Sequence, residues 1–307
     1  MSRSLKAHLL LILITLIWGS TFVLIKQALE YSSPLLFNTV RMALASVLLM
    51  VFYRKQLRQL TRPALGAGAV VGIFLFLGYA FQTTGLRLTT PSKSAFLTGS
   101  SNVLVPLILV VLWRVRIHPW RVAGVFMAFA GLFLMTVPAG RQGMADFANV
   151  NLGDLLTLGC ALAFAFHIIF LGHATQRFAF QQIAVLQVVV TAVLMAISVP
   201  VLEKPHWQLS PFLLLAILIT GCLCTAVAFA VQSWAQQFTP ATHTALIFTM
   251  EPVFAWITSY VYLHERLGFR AAAGALLILA GVLVSELLGS VSRPEPELAS
   301  VPVGSAR

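Results

Sequence analysis

Ala123-Gly124-Val125-Phe126-Met127-Ala128-Phe129-Ala130-Gly131 returns 150 residues later as Ala273-Gly274-Ala275-Leu276-Leu277-Ile278-Leu279-Ala280-Gly281. Both stretches are uncharged, and both place an Ala-Gly pair at either end of a helical run. The correspondence extends backwards without a gap to Ala80. Along the way Ala80, Gln82, Thr89, Ala95, Val103, Val111 and Arg116 meet identical residues at Ala230, Gln232, Thr239, Ala245, Val253, Val261 and Arg266. Shared apolar composition explains matching alanines and valines. It does not explain a matched glutamine or the matched glycines, so the chain reads as an internal repeat.

What repeats follows from composition. Of the 307 residues, 59% are apolar and only 9% charged, and the mean hydropathy is +0.91. Soluble domains carry about a quarter charged residues, so an ordinary soluble enzyme, a disordered chain and a disulfide scaffold are all excluded. Spanning a ~30 Å hydrocarbon layer takes about 20 apolar residues in a helix. Ten such segments are present, near residues 7–29, 34–53, 64–86, 91–113, 119–137, 152–173, 181–202, 210–235, 240–263 and 269–289. They are continuous rather than alternating, which argues against a transmembrane barrel. The first is too long for a signal peptide, ends in Lys26 and has no small-residue cleavage site, so it counts as a span.

Pro34, Pro91, Pro119, Pro211 and Pro240 mark helix starts, with Ser33, Thr90, Ser210 and Thr239 as expected N-caps. Asp154 favours the start of the sixth helix. Cys160, Cys222 and Cys224 all fall in apolar runs and suggest neither a disulfide nor a metal site.

The formal net charge of +11 sits mainly in short loops and forms no nucleic-acid-binding motif. With the N-terminus inside, the first half places nine Lys/Arg on the inner side. They are Arg3, Lys6, Arg54, Lys55, Arg58, Arg62, Arg114, Arg116 and Arg121. Four (Lys26, Arg87, Lys93 and Arg141) lie outside, which sets the orientation. Five spans per half is odd, so the second half enters the membrane inverted. The expectation is an all-α polytopic membrane protein of ten transmembrane helices, built as two inverted five-helix repeats. Residues 1–138 form the first repeat, 139–151 a linker, 152–289 the second repeat, and 290–307 a disordered cytoplasmic tail. Both termini are cytoplasmic and the location is the cell (inner) membrane. Inverted repeats of this kind recur in secondary transporters, which rock around a site near the midplane.

Several stretches resemble EamA-type members of the drug/metabolite transporter superfamily. They are Trp18-Gly19-Ser20-Thr21-Phe22 in the first span and Arg41-Met42-Ala43-Leu44-Ala45 in the second. Lys93-Ser94-Ala95-Phe96-Leu97-Thr98-Gly99, running on to Pro106, resembles the fourth helix. Ala245 to Ala255, with Glu265 beyond, resembles the ninth. The resemblance implies export of small organic metabolites or drugs. One departure is Val115, which stands where family members often match the acid at Glu265.

Ionisable groups at membrane depth suggest function. Glu251 lies mid-span before Pro252, whose missing N–H leaves the Phe248 carbonyl without its helical donor; a helix break is expected there and at Pro106. Thr244, Glu251, Thr258 and Glu265 repeat every seven residues on one face. The bland alternative is a carboxylate that only holds helices together. Arg41 is deeper in the second span, its partner a helix-end carbonyl, a substrate carboxylate or Glu251. Lys93 and His243 are repeat mates near helix starts, suited to an anionic or zwitterionic substrate or to simple snorkelling and capping. Gln82 and Gln232 can bind a substrate or bridge helices. Trp18, with Phe164 as its counterpart, can gate a cavity or merely pack. Ser101 and Asn102 complete the expected pathway, and His167 reads as a satisfied core histidine. Gly124, Gly131, Gly274 and Gly281 read as packing surfaces.

The expected function is a secondary transporter with a small-molecule substrate, no cofactor and no nucleic-acid partner, embedded in the lipid bilayer. Proton or ion coupling and the oligomeric state are left open. A membrane-embedded enzyme or a scaffold is the alternative. HExxH, GxSxG, CxxC and Walker A motifs are all missing from the chain, which argues against hydrolytic chemistry and direct use of ATP.

Overall fold

The computed structural model describes residues 2–86, 88–89, 91–137, 140, 149–263 and 268–289. Among the described residues ten long helical segments follow one another, besides the single turn Arg54–Leu57: α1 (Arg3–Ala28), α2 (Pro34–Phe52), α3 (Arg62–Leu86), α4, α5 (Pro119–Thr136), α6 (Leu152–Arg177), α7 (Phe180–Leu202), α8, α9 and α10 (Phe269–Gly289). Three of them are interrupted. α4 consists of α4a (Pro91–Gly99) and α4b (Ser101–Trp113), and α9 of α9a (Ala241–Phe248) and α9b (Glu251–Leu263). α8 runs Pro211–Ile219, widens to a π-helix at Thr220–Val227 and resumes at Ala228–Ala235. Nine helices among the described residues are long and apolar enough to cross a membrane. The tenth expected span is α9, whose two pieces are individually too short. The chain is thus an all-α polytopic membrane protein. Among the described residues the only pairing of strand type is an isolated bridge between Ser32 and Trp207.

The glycines that announced the repeat lie where α5 packs along α10. A Cβ on Gly124 would come 2.5 Å from the Gly281 carbonyl oxygen, and one on Gly131 would come 2.5 Å from that of Gly274. The contacts are reciprocal, so only hydrogen fits on either side. Pairing 124 with 281 and 131 with 274 also means that the two helices run antiparallel. They are repeat mates, so an antiparallel pair is what inversion requires.

The other cross-repeat contacts obey the same symmetry. Trp18 of α1 packs on Phe229 of α8, with ring centroids 5.9 Å apart, and Phe164 of α6 packs on Tyr79 of α3 at 5.5 Å. α2 lies against α7, and this pair is tied at both ends. At one end the Glu203 carboxylate accepts hydrogen bonds from the Ser33 hydroxyl (2.8 Å) and from the Leu35 and Leu36 amides (3.1 and 2.8 Å). At the other, the Gln182 amide donates to the Gln56 carbonyl at 2.9 Å, and Tyr53 meets Phe180.

Several local expectations change. Ser33, the expected cap of α2, turns its hydroxyl to Glu203, whose negative charge satisfies the orphan amides of the first turn instead. Thr239 does not cap α9, because the helix begins at Ala241 with Pro240 outside it. Ser210 does cap α8, accepting from the Leu213 amide at 3.1 Å. Asp154 forms a capping box with Asn151 and accepts from Thr89 at 2.5 Å. Pro106 sits inside the continuous α4b, so the interruption expected there falls at Ser100. The seven-residue stripe from Thr244 does not lie on one continuous helix, because the chain breaks at Thr249–Met250 between Thr244 and Glu251. Arg87, Thr90, Arg141, Glu265, Arg266, linker residues 139 and 141–148, and the tail lie outside the described residues.

Candidate functional site

The two helix interruptions are themselves repeat mates. Ser100 and Met250 stand 150 residues apart, and the turn at each is closed by short i to i+3 bonds: Ser100 N to Leu97 O, and Met250 N to Ile247 O. Each break lies midway along its span. Glu251 follows the second one immediately, as Ser101 follows the first. Pro252 is therefore the second residue of α9b, where its missing N–H loses nothing. It starts a helix rather than kinking one.

Gly19 explains how α1 reaches this break. A Cβ on it would lie 2.7 Å from the Glu251 carbonyl oxygen and 2.9 Å from both the Ala255 nitrogen and the Phe254 Cβ. One residue earlier, the Trp18 indole N–H donates to the Cys224 carbonyl at 2.9 Å, within the π-helix of α8. Its ring meets Phe248, the last residue of α9a, edge-on at 5.1 Å. Thr21, one turn on, brings its hydroxyl 3.3 Å from the Cys224 sulfur. π-Helical turns widen a helix and expose backbone polarity, and they often occur at functional sites.

Arg41 closes the other side. It is 4% exposed, eight residues into α2, with its guanidinium carbon 4.7 Å from the centroid of the Tyr79 ring. Its Nε has no hydrogen-bond partner, and no carboxylate among the described residues pairs with it. Glu251 is partly exposed and accepts no hydrogen bond from a described residue. Tyr79, which carries Arg41 on its ring, and Trp18, which borders the α9 break, pack against one buried cluster with Phe229, so α1, α2, α3, α8 and α9 converge near the middle of the bundle.

Of the residues singled out from sequence, Trp18, Arg41 and Glu251 lie at this convergence, and Ser101 and Asn102 are buried just past the α4 break. The remaining ones are elsewhere. His243 stacks on His8 at 5.9 Å, close to the N-terminal end of α1. Thr244 donates to its own helix, at Pro240 O. Gln232 is buried and donates to Gln236 at 3.3 Å, whereas its mate Gln82 is partly exposed. The side chain of Lys93 lies outside the described residues. His167 is a core histidine, 2.8 Å from Gln187. Tyr79 and Cys224 are additions that sequence reasoning misses. Tyr79 has a signal, since it matches Phe229 one place before the repeat alignment begins; the π-helix has none.

The two ends of the bundle are unequal. Leu11 and Ile14 of α1, Val105 and Ile108 of α4b, Ile168 of α6 and Phe248 of α9a join one buried apolar cluster, and every residue of α9a is buried. This seals the end that holds the N-terminus. α4b packs on α9a, whereas at the other end Phe96 of α4a and Val253 of α9b share a smaller buried cluster with residues of α5 and α10.

The family comparisons give the class, a membrane transporter. The EamA-like transporter family matches twice, over residues 5–137 and 151–287, and the chain belongs to that family. It is 33% identical over 285 residues to an uncharacterized transporter of Archaeoglobus fulgidus, covering 93% of this chain and 87% of that one. The uncharacterized transporter YoaV of Bacillus subtilis is 23% identical over 289 residues, covering 91% and 96%. The WAT1-related protein At3g02690, chloroplastic, of Arabidopsis thaliana is 24% identical over 275 residues, covering 86% and 66%. A solved crystal structure superposes with a TM-score of 0.78 at 20% identity, over 94% of this chain and 99% of that one, which shows the fold.

Proposed function

We propose that this protein is a secondary transporter that exports small organic metabolites or drugs by alternating access. The midplane cluster binds the solute, and the two repeats exchange which end is sealed. The observation that carries this reading is a cation and a carboxylate, Arg41 and Glu251, in the middle of the bundle with no ion pair to a described residue, Arg41 lying against the Tyr79 ring, beside two broken helices. Charges are kept at such depth when a pathway uses them. Inverted repeats make the reverse state accessible at similar free energy, because each half can adopt the conformation of its mate. Proton or ion coupling through Glu251 supplies the driving force in this reading.

The test is solute exchange in sealed proteoliposomes, using ligands first found by thermal shift, since a ligand of the native state raises apparent stability. Vesicles holding the protein exchange labelled solute faster than protein-free vesicles; equal rates for every ligand that binds would refute transport. The excess of Lys/Arg in the inner loops of the first half supports cytoplasmic termini and a location in the inner membrane of the cell. Single cysteines introduced at Asn149 and Arg177, on either end of α6, then react with impermeant reagents from opposite sides. Labelling of both from one side would overturn the topology.

A further inference from the structure

The two repeats differ in charge at a place far from the midplane. The link from α4b to α5 carries Arg114-Val115-Arg116, and 150 residues later the second repeat carries His264-Glu265-Arg266. With histidine neutral, the first triplet has two positive charges and the second none. Inversion puts the first triplet on the side that holds the N-terminus and the second on the opposite side. The acid is thus missing from the copy that faces the inner leaflet in the orientation proposed above.

α4b ends on Arg114, whose backbone is left-handed (φ 53°, ψ 30°). Among the described residues it is the one non-glycine with a positive φ. Helices ordinarily end this way on glycine, because a Cβ crowds that conformation; here a long cation is kept instead. Trp113, Val115 and Ile117 pack against the apolar cluster at that end of the bundle, whereas Arg114 and Arg116 between them are exposed. Alternate residues anchor the segment, so its two arginines are held outward rather than trailing in a free loop. Both line an open cleft of about 590 Å³, together with Val110 of α4b, Val122 of α5 and the linking Val115 and Ile117. No acidic residue among those described lines it. Exposed Leu107, Val111 and Leu112 extend the apolar surface of Val110 along α4b. Trp120 is exposed in the first turn of α5, as tryptophans are at a lipid–water interface.

Two forked cations at the mouth of an apolar cleft suit a ligand with an anionic head and hydrocarbon chains. The cytoplasmic leaflet supplies anionic lipids, and basic pockets between helices on that side bind their head groups. A soluble anion would use the arginines and leave the apolar wall idle. We propose that this cleft binds the phosphate head of an anionic phospholipid of the inner leaflet, with the acyl chains lying along α4b. The site is independent of the midplane cluster, and only the choice of leaflet rests on the orientation.

The test follows thermal unfolding in maltoside micelles doped with dioleoylphosphatidylglycerol or dioleoylphosphatidylcholine, or given inorganic phosphate without lipid. The anionic lipid raises the wild-type melting temperature, because it binds the native state; the zwitterionic lipid and inorganic phosphate do not. Arg114→Gln and Arg116→Gln each weaken the apparent affinity for the anionic lipid about fivefold, the share of one basic residue near an anionic head group. The double variant no longer distinguishes the two lipids. Arg54→Gln combined with Arg58→Gln removes two exposed arginines of another inner loop and retains the response. Arg114→Gly separates binding from folding: it loses the same fivefold, while the lipid-free protein melts no lower than wild type, since glycine suits the left-handed backbone. Equal responses to the two lipids, a full response to inorganic phosphate, or equal losses in the two double variants would each overturn the proposal, the last by reducing it to net charge. So would a lower lipid-free melting temperature in Arg114→Gly, which would make Arg114 a structural cap.

Discussion

Glu251→Gln lowers solute exchange in proteoliposomes by about tenfold or more, equivalent to ~1.4 kcal/mol or more of lost stabilisation along the transport cycle, while yield and melting temperature do not fall. Glutamine is nearly the same size, so the packing of Gly19 against the Glu251 backbone is untouched. What changes is the charge. A carboxylate that held helices together would be hydrogen-bonded, and removing a bonded buried charge is strongly destabilising. Glu251 accepts no hydrogen bond from a described residue, so its removal spares stability. The one favourable local effect of its charge is at the first turn of α9b, where helix-dipole stabilisation is only about 0.3–1 kcal/mol. Unchanged flux in Glu251→Gln would remove the carboxylate from the mechanism, and a large fall in melting temperature with normal flux per folded molecule would make it structural.

The inverted architecture was legible in the sequence because of where the glycines fall. α5 and α10 are repeat mates that also contact each other, so one requirement, close backbone approach, acts on both copies and keeps Gly124, Gly131, Gly274 and Gly281 in register. No such double constraint acts on α1 and α6, and their correspondence is fainter for it. The helix breaks show the limit of local signals. Pro106 and Pro252 point to interruptions, yet neither proline is where its helix ends. Pro106 is absorbed inside α4b and Pro252 initiates α9b. The real breaks, at Ser100 and at Thr249–Met250, are mates under the repeat, so the internal symmetry is the better guide.

The midplane site was legible only in part. Arg41 and Glu251 stand out because charge is scarce in this chain. Tyr79 and Cys224 do not, because an aromatic or a thiol in an apolar run costs little and is common there. The π-helix that presents the Cys224 carbonyl to Trp18 depends on how α8 packs against α1 and α2, which no local pattern in Thr220–Val227 encodes. Glu203 carries a signal that is easily passed over. An acid at the end of a span reads as loop charge, but the fold brings it 170 residues back along the chain to Ser33, where it takes over the capping expected of the serine.

Gly19→Leu costs at least ~3 kcal/mol of stability and abolishes exchange, whereas Gly66→Ala lowers neither. A methyl group added at Gly66 of α3 would have nothing within 4 Å, and alanine improves helix propensity there by up to about 1 kcal/mol. It controls for the effect of adding a side chain to a helical glycine as such. At Gly19 the obstacles are backbone atoms, the Glu251 carbonyl oxygen at 2.7 Å and the Ala255 nitrogen at 2.9 Å, which cannot rotate away. Overpacking against atoms that can give costs about 1–3 kcal/mol; here α1 and α9b must separate as whole helices. Their separation moves Trp18 off the Cys224 carbonyl and Phe248, and moves Glu251 relative to Arg41. Stability and transport should therefore fall together at Gly19, in contrast to Glu251→Gln, where only transport falls. The measurement is thermal unfolding in detergent alongside exchange in proteoliposomes. Wild-type melting and flux in Gly19→Leu would show that α1 does not approach the α9 break so closely, and the midplane cluster built on that contact would fall with it.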